Sequence, residues 1–167
     1  MSKQDLVVEP VVLAEGASVS IHKKVIEAPQ VLNEAHQYPR PSSFSRGMRL
    51  DINGVTTLLI SGTASIDEYG NSVHIGDFRA QVLRTYKNIT GLLAAEGATW
   101  KDIVRTSCYL RDIERDYAEF NEIRTRFFKE QGLDILPAST GIQAILCRPE
   151  LLIEIEAIAM FPTDRSS

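Results

Sequence analysis

Glu154 and Glu156 are the residues best placed to do chemistry: two carboxylates set two positions apart inside the apolar run from Leu151 to Met160. Side chains alternate along an extended strand. Glu154 and Glu156 therefore share one face with Leu152, Ile158 and Met160, while Leu151, Ile153, Ile155, Ala157 and Ala159 share the other. The two carboxylates then stand about 7 Å apart. A carboxylate crowded by apolar neighbours and a second acid has its proton affinity raised, which suits a general acid working near neutral pH. Polar-out alternation is also ordinary in a strand with one solvated face, and spacing alone leaves both readings standing.

Two other clusters carry candidate ligand contacts. Cys147-Arg148 lies in the turn before that strand. An arginine there either holds a substrate carboxylate with two parallel hydrogen bonds or is a solvated turn residue. Cys147 reads more readily as a small buried side chain than as a ligand contact. In Ser61-Gly62-Thr63-Ala64-Ser65, small hydroxyl residues surround a glycine, which permits close backbone approach to a ligand or marks a tight strand exit.

Other chemistries find no pattern. Glycine-rich phosphate loops and a GxSxG elbow are missing from the sequence. His22, His36 and His74 are scattered without ligand spacing and are expected in solvent. Cys108 and Cys147 form neither a CxxC nor a His-spaced pattern, so no metal, cofactor or disulfide framework is expected, and a reducing cytoplasm is the default location. A net charge of −4 argues against a nucleic-acid partner. No apolar run reaches the roughly 18 residues of a membrane helix, and the first ten residues lack a signal peptide's apolar stretch.

These residues need elements to position them. The 167 residues, 44% hydrophobic, fit one domain with a single core. Up to residue 47, Pro10, Pro29, Pro39 and Pro41 punctuate short apolar bursts, which predicts an extended arm with one or two short strands. Asn53-Gly54 between β-rich runs predicts a hairpin. Asp77 is a cap for a helix over 77–96 whose stripe is Val82, Tyr86, Ile89 and Leu93, with Gly97 as its stop and Thr99–Asp102 as a capping box beyond. A strand over 103–110 and a second helix over 114–131 follow, with Tyr117, Phe120, Ile123 and Phe127 inward and Gly132 as stop. Two closing strands are expected near 139–147 and 151–161. This order predicts an α+β sandwich with both helices on one sheet face, the other face being covered by self-association.

In register, Ile60-Ser61-Gly62, Gly76–Gln81, Asn88-Ile89, Glu96-Gly97, Asp102–Thr106, Asp116–Asn121, Pro137-Ala138 and Ile153–Ala157 resemble the YjgF/RidA superfamily of reactive-intermediate deaminases, also called endoribonuclease L-PSP. The resemblance covers about residues 42–161 and divides the chain into an N-terminal extension, 1–41, and a family-like domain, 42–167. It implies a chorismate-mutase-like fold and a homotrimer whose sheets form a central barrel, with small-molecule clefts between subunits. In the deaminase branch, an arginine directly after Pro-Ala grips the substrate carboxylate and the first glutamate of Ile-Glu-Ile-Glu positions the attacking water. Carried over, the glutamate is Glu154, the helix asparagine Asn121 and the strand-end serine Ser61. Ser139 occupies the arginine position and Phe44 that of a tyrosine. A serine hydroxyl does not replace a bidentate guanidinium, so the resemblance implies the scaffold more than ordinary 2-imino acid deamination. The segments 61–66 and 147–156 are also similar to the C-terminal half of chorismatases. That similarity implies anion binding by Arg148 and substrate protonation by Glu154.

Overall fold

Asn53 and Gly54 take positive φ angles of 47° and 81°, the left-handed pair that a two-residue hairpin turn requires. The turn joins Gly47–Ile52 (β2) to Val55–Ala64 (β3) as the sequence predicts. The structure is a computed structural model describing residues 20–164; the start of the N-terminal extension, Pro10 included, lies outside the described residues. Upstream of the hairpin, Ile21–Val25 (β1) pairs antiparallel with β2. The chain then buries Ile26, Ala28 and Leu32 in the common core before reaching β2.

Phe78–Ala95 forms α1, capped by the Asp77 carboxylate, which accepts from the Ala80 amide at 2.9 Å. Val82, Tyr86, Ile89 and Leu93 are buried along its inner stripe, and Gly97 ends the helix with φ of 70°. The Thr99–Asp102 capping box opens a single 3-10 turn, Trp100–Asp102, that leads directly into Ile103–Leu110 (β4). Asp112 caps the second helix, Ile113–Glu130 (α2). Between the helices Tyr86 stacks on Phe127 at 4.3 Å while Trp100 meets both edge-on, a geometry that adds to the area these rings bury.

Two expectations need correction. The strand expected over 139–147 ends at Gln143: Ala138–Gln143 (β5) is an edge strand, parallel to β4, and is exposed throughout. Ile153–Pro162 (β6) does not pair with it but enters between β3 and β4, antiparallel to both, giving the order β1-β2-β3-β6-β4-β5. Residues 144–152 therefore form a crossover past the end of β4. On α2, Phe120, Ile123 and Phe128 are buried and Phe127 is partly buried, but Tyr117 is 44% exposed. It lies toward the edge strand, near Gly141, where no further layer covers it.

Alternation along β6 is as the spacing predicts: Ile153, Ile155, Ala157 and Ala159 face the core, and Glu154, Glu156 and Met160 face away from the helices. On that second face Leu59 and Met160 remain 40% and 46% exposed.

Candidate functional site

The site begins with a mismatch between two strands. Ile60 pairs with Ala157 and Thr63 with Ile155, so β3 carries one residue more than β6 across this interval, and Ser61-Gly62 form a bulge. A bulge bends its strand and re-aims neighbouring side chains. Here it brings the Gly62 backbone under the Glu154 carboxylate. A methyl group on Gly62 would overlap Glu154 Oε1 and lie 3.0 Å from its Cδ. The space that the sequence reading offered to a ligand is thus occupied by the glutamate itself.

The two glutamates differ in their partners. Glu156 accepts a hydrogen bond from the Tyr109 hydroxyl at 3.0 Å, and that bond, the largest influence on the phenol, raises the tyrosine's pKa. Glu154 has no hydrogen-bond or ion-pair partner among the described residues. Burial is the main cause that pushes its pKa above the ordinary carboxylate value, the charge of Glu156 adds to this, and Arg46 opposes both. One carboxylate is tethered, and the other is free to bind, hold or release a proton.

Glu154 opens into a cleft of about 470 Å³ whose walls include Arg148, Cys147, Ser61 and Phe44. Glu156 lines it as well, so six of the eight candidate residues named from sequence converge. Ser61 donates its hydroxyl proton to the Ser45 carbonyl at 2.7 Å, so toward the cleft it offers an acceptor. Arg148 donates from Nη1 to the Gly70 carbonyl (2.7 Å) and to Ser72 Oγ (3.1 Å). Cys147 is a free, exposed thiol.

The crossover that carries Cys147 and Arg148 is shaped by residues the sequence reading did not select. Arg111 donates from Nε to the Leu151 carbonyl (2.6 Å) and from Nη2 to the Arg148 carbonyl (2.7 Å). Buried Gln81 bridges the Glu150 carbonyl and the Leu152 amide. Arg46, only 6% exposed, also lines the Glu154 cleft. Nothing in the spacing of Phe44-Ser45-Arg46 marks that role.

Asn121 and Ser139 do not join Glu154 within one chain; they line a separate cleft of about 410 Å³. Between them stands Arg124, donating to Asn121 Oδ1 at 2.6 Å and to Ser139 Oγ at 3.2 Å, with its guanidinium 5.1 Å from the Phe120 ring centre. A guanidinium thus reaches the hydroxyl of Ser139 from α2. The three-residue spacing of Asn121 and Arg124 on one helix face was a readable signal for this pairing. Among the described residues no group of three or more His, Cys, Asp or Glu is arranged to hold a metal ion, and no helix is long and apolar enough to cross a membrane.

Comparison with known proteins places this architecture. The family model described as Endoribonuclease L-PSP matches residues 38–161. The 3-aminoacrylate deaminase RutC of Acinetobacter baylyi is 33% identical over 100 residues, covering 60% of this chain and 75% of that protein. Among solved structures, YyfA from Yersinia pestis, a conserved Rid-family protein of unknown function, superposes with a TM-score of 0.68 at 28% identity, over 83% of this chain and 98% of that one. The YjgF gene product from E. coli gives 0.65 at 25% identity, over 81% and 97%. The mixed sheet with two helices is thus that of a recognised group, and the chain belongs to the Endoribonuclease L-PSP family, the YjgF/RidA superfamily.

Proposed function

We propose that the protein is a small-metabolite enzyme that binds a carboxylate-bearing substrate and uses Glu154 to move a proton to the substrate and to handle the attacking water. The observation that carries this reading is the Glu154 carboxylate, seated over Gly62 in a cleft, without a partner among the described residues and with its pKa raised by burial. A protonated carboxyl in such a setting is a general acid near neutral pH. For an enamine, Glu154 gives its proton to the carbon, water adds to the resulting iminium carbon, the carboxylate recovers a proton from that water to leave a carbinolamine, and the hydroxyl proton passes to nitrogen as the C–N bond breaks, giving the carbonyl product and ammonia. An enol ether follows the same course with an alcohol as leaving group. The name of the RutC relative supports the enamine class. Arg148 and Phe44 serve as substrate contacts in this reading, with Ser61 as an acceptor and Cys147 at the rim.

The working unit we propose is a homotrimer. The sheet face turned away from the helices carries an apolar groove of about 440 Å³ that includes Met48, Leu59 and Ile158, a surface best covered by another copy. Assembly of this kind brings the Asn121, Arg124 and Ser139 edge of one chain toward the Glu154 cleft of its neighbour. The test is turnover of a panel of carboxylate-bearing imines, enamines and enol ethers, read as ammonia or alcohol release. Glu154→Gln is expected to abolish turnover while leaving the oligomer intact in size-exclusion chromatography with light scattering, and retained turnover would remove the proposed role.

Ser139 in the arginine position favours a second reading, a ligand-binding trimer without chemistry. Thermal stabilisation by panel compounds with no product from any of them is the result that would select it.

A further inference from the structure

Arg46 is unusual among the cations of this chain. Its guanidinium is held 4.9 Å from the Tyr38 ring centre and 5.2 Å from that of Phe44, and the residue is only 6% exposed. Its Nε donates to the Asn33 carbonyl at 3.2 Å. No Asp or Glu forms an ion pair with that guanidinium among the described residues, although nine ion pairs are formed elsewhere by other cations; Glu34 accepts from the Arg46 backbone amide at 3.3 Å and Glu154 feels the guanidinium's charge across the cleft. A largely buried guanidinium without a hydrogen-bonded carboxylate partner bears a desolvation cost that a bound anion relieves. The Nε bond and the two rings fix the plane of the group and leave its Nη1 and Nη2 edge for a carboxylate, the arrangement that favours two parallel hydrogen bonds.

Two more observations mark this place as built for a ligand. Tyr38, 8% exposed, has a buried hydroxyl with no partner and lines the same cleft. Arg148 lines it too, and its Gly70 and Ser72 bonds engage only Nη1, leaving the Nη2 side available. One cleft of about 470 Å³ thus holds two arginines, each with one side anchored to protein and one side open, together with Glu154.

We infer that this cleft selects a small substrate with two anionic groups, a dicarboxylate, gripped by Arg46 at the Tyr38–Phe44 cage and by Arg148 at the crossover loop. The inference rests on the proposed use of the Glu154 cleft as the substrate site and adds the class of molecule that enters it. Arg46 is the specificity-determining residue, because its plane is fixed, whereas Arg148 lies on a loop and sets the distance between the two groups.

The probes are matched pairs that differ only in the second carboxylate: succinate against butyrate and glutarate against valerate, titrated into the full chain by calorimetry and thermal shift. Wild-type protein is expected to bind a dicarboxylate at least 10-fold more tightly than its partner monocarboxylate. Arg46→Met and Arg148→Met are each expected to remove that preference. Equal affinity within both pairs, or an undiminished preference in folded Arg46→Met, would overturn the inference. If circular dichroism shows that Arg46→Met fails to fold, Arg46→Lys decides: it keeps the charge but not the fork, and a preference reduced 10-fold supports the assignment, whereas a preference unchanged refutes it. Glu154→Gln separates the two layers. It should keep dicarboxylate binding while losing turnover, so a failed preference with Glu154-dependent turnover sinks only the dicarboxylate assignment. An intact preference with Glu154-independent turnover sinks only the proposed chemistry.

Discussion

Replacing Gly62 with alanine isolates the geometry on which the proposed chemistry depends. Gly62 does not have a positive φ, so the backbone accepts a side chain, and an alanine there gains about 0.4–1 kcal/mol through the unfolded state. The added methyl would overlap Glu154 Oε1 and approach Cδ at 3.0 Å and Cγ at 3.3 Å. The atoms that must yield are the far end of a flexible, partner-free side chain, so the fold loses little. The carboxylate, however, has to withdraw by about 1 Å or more, a misplacement that costs on the order of 100-fold in rate, or about 2.7 kcal/mol in the barrier. The expected result is a melting temperature within about 3 °C of wild type and turnover lowered about 100-fold on whichever panel substrate is active. The double variant Gly62→Ala/Glu154→Gln should be no slower than Glu154→Gln alone, because both changes act on one group. Wild-type turnover in folded Gly62→Ala, or losses that multiply in the double variant, would refute the claim that the glycine works by seating the glutamate.

Other expected outcomes follow from the same contacts. Glu154 has a raised pKa in the fold, so its contribution to stability is full below the ordinary glutamate value and is lost as pH rises through the folded value; the melting temperature of Glu154→Gln relative to wild type should therefore climb between pH 4 and pH 8, and a constant difference would deny the shift. Turnover that needs Glu154 protonated should fall over that same rise, and a rate that grows with pH instead would assign the group to base chemistry. Arg111→Ala removes donors to two carbonyls of the crossover and should cost about 2–4 kcal/mol in urea unfolding, with weaker substrate binding; an unchanged midpoint would show that the loop holds its own shape. A methyl group on Gly91 would overlap a methyl of Val31 and lie 2.9 Å from the other, so Gly91→Ala should destabilise by about 1–3 kcal/mol through overpacking, and an unaffected protein would mean that the 26–46 segment moves aside at no cost.

Much of the local structure was legible because local rules fixed it. The Asn53-Gly54 turn, the Asp77 cap, the Thr99–Asp102 box and the Gly97 stop depend on residues a few positions apart, and all appear where the spacing puts them. The separation of Glu154 and Glu156 from Ile153, Ile155 and Ala157 followed from the period of a strand. Tyr117 failed because periodicity tells which residues share a face but not how far along a helix that face stays covered. The end of the strand expected over 139–147 was misplaced because an exposed edge strand reads like any other short strand, and alternation, silent about neighbours, offered no prediction of the strand order.

By itself, then, the sequence determined the elements, the side of β6 on which the glutamates stand and the family to which the chain belongs. Only the tertiary structure decided what each carboxylate meets. The bulge in β3 is defined by pairing with residues more than ninety positions away, and it sets Gly62 under Glu154 while β4 brings Tyr109 to Glu156. Burial and partnership are properties of such long-range neighbours, and they distinguish a glutamate with a raised pKa and no tether from one held by a phenol, although both occupy the same face of the same strand.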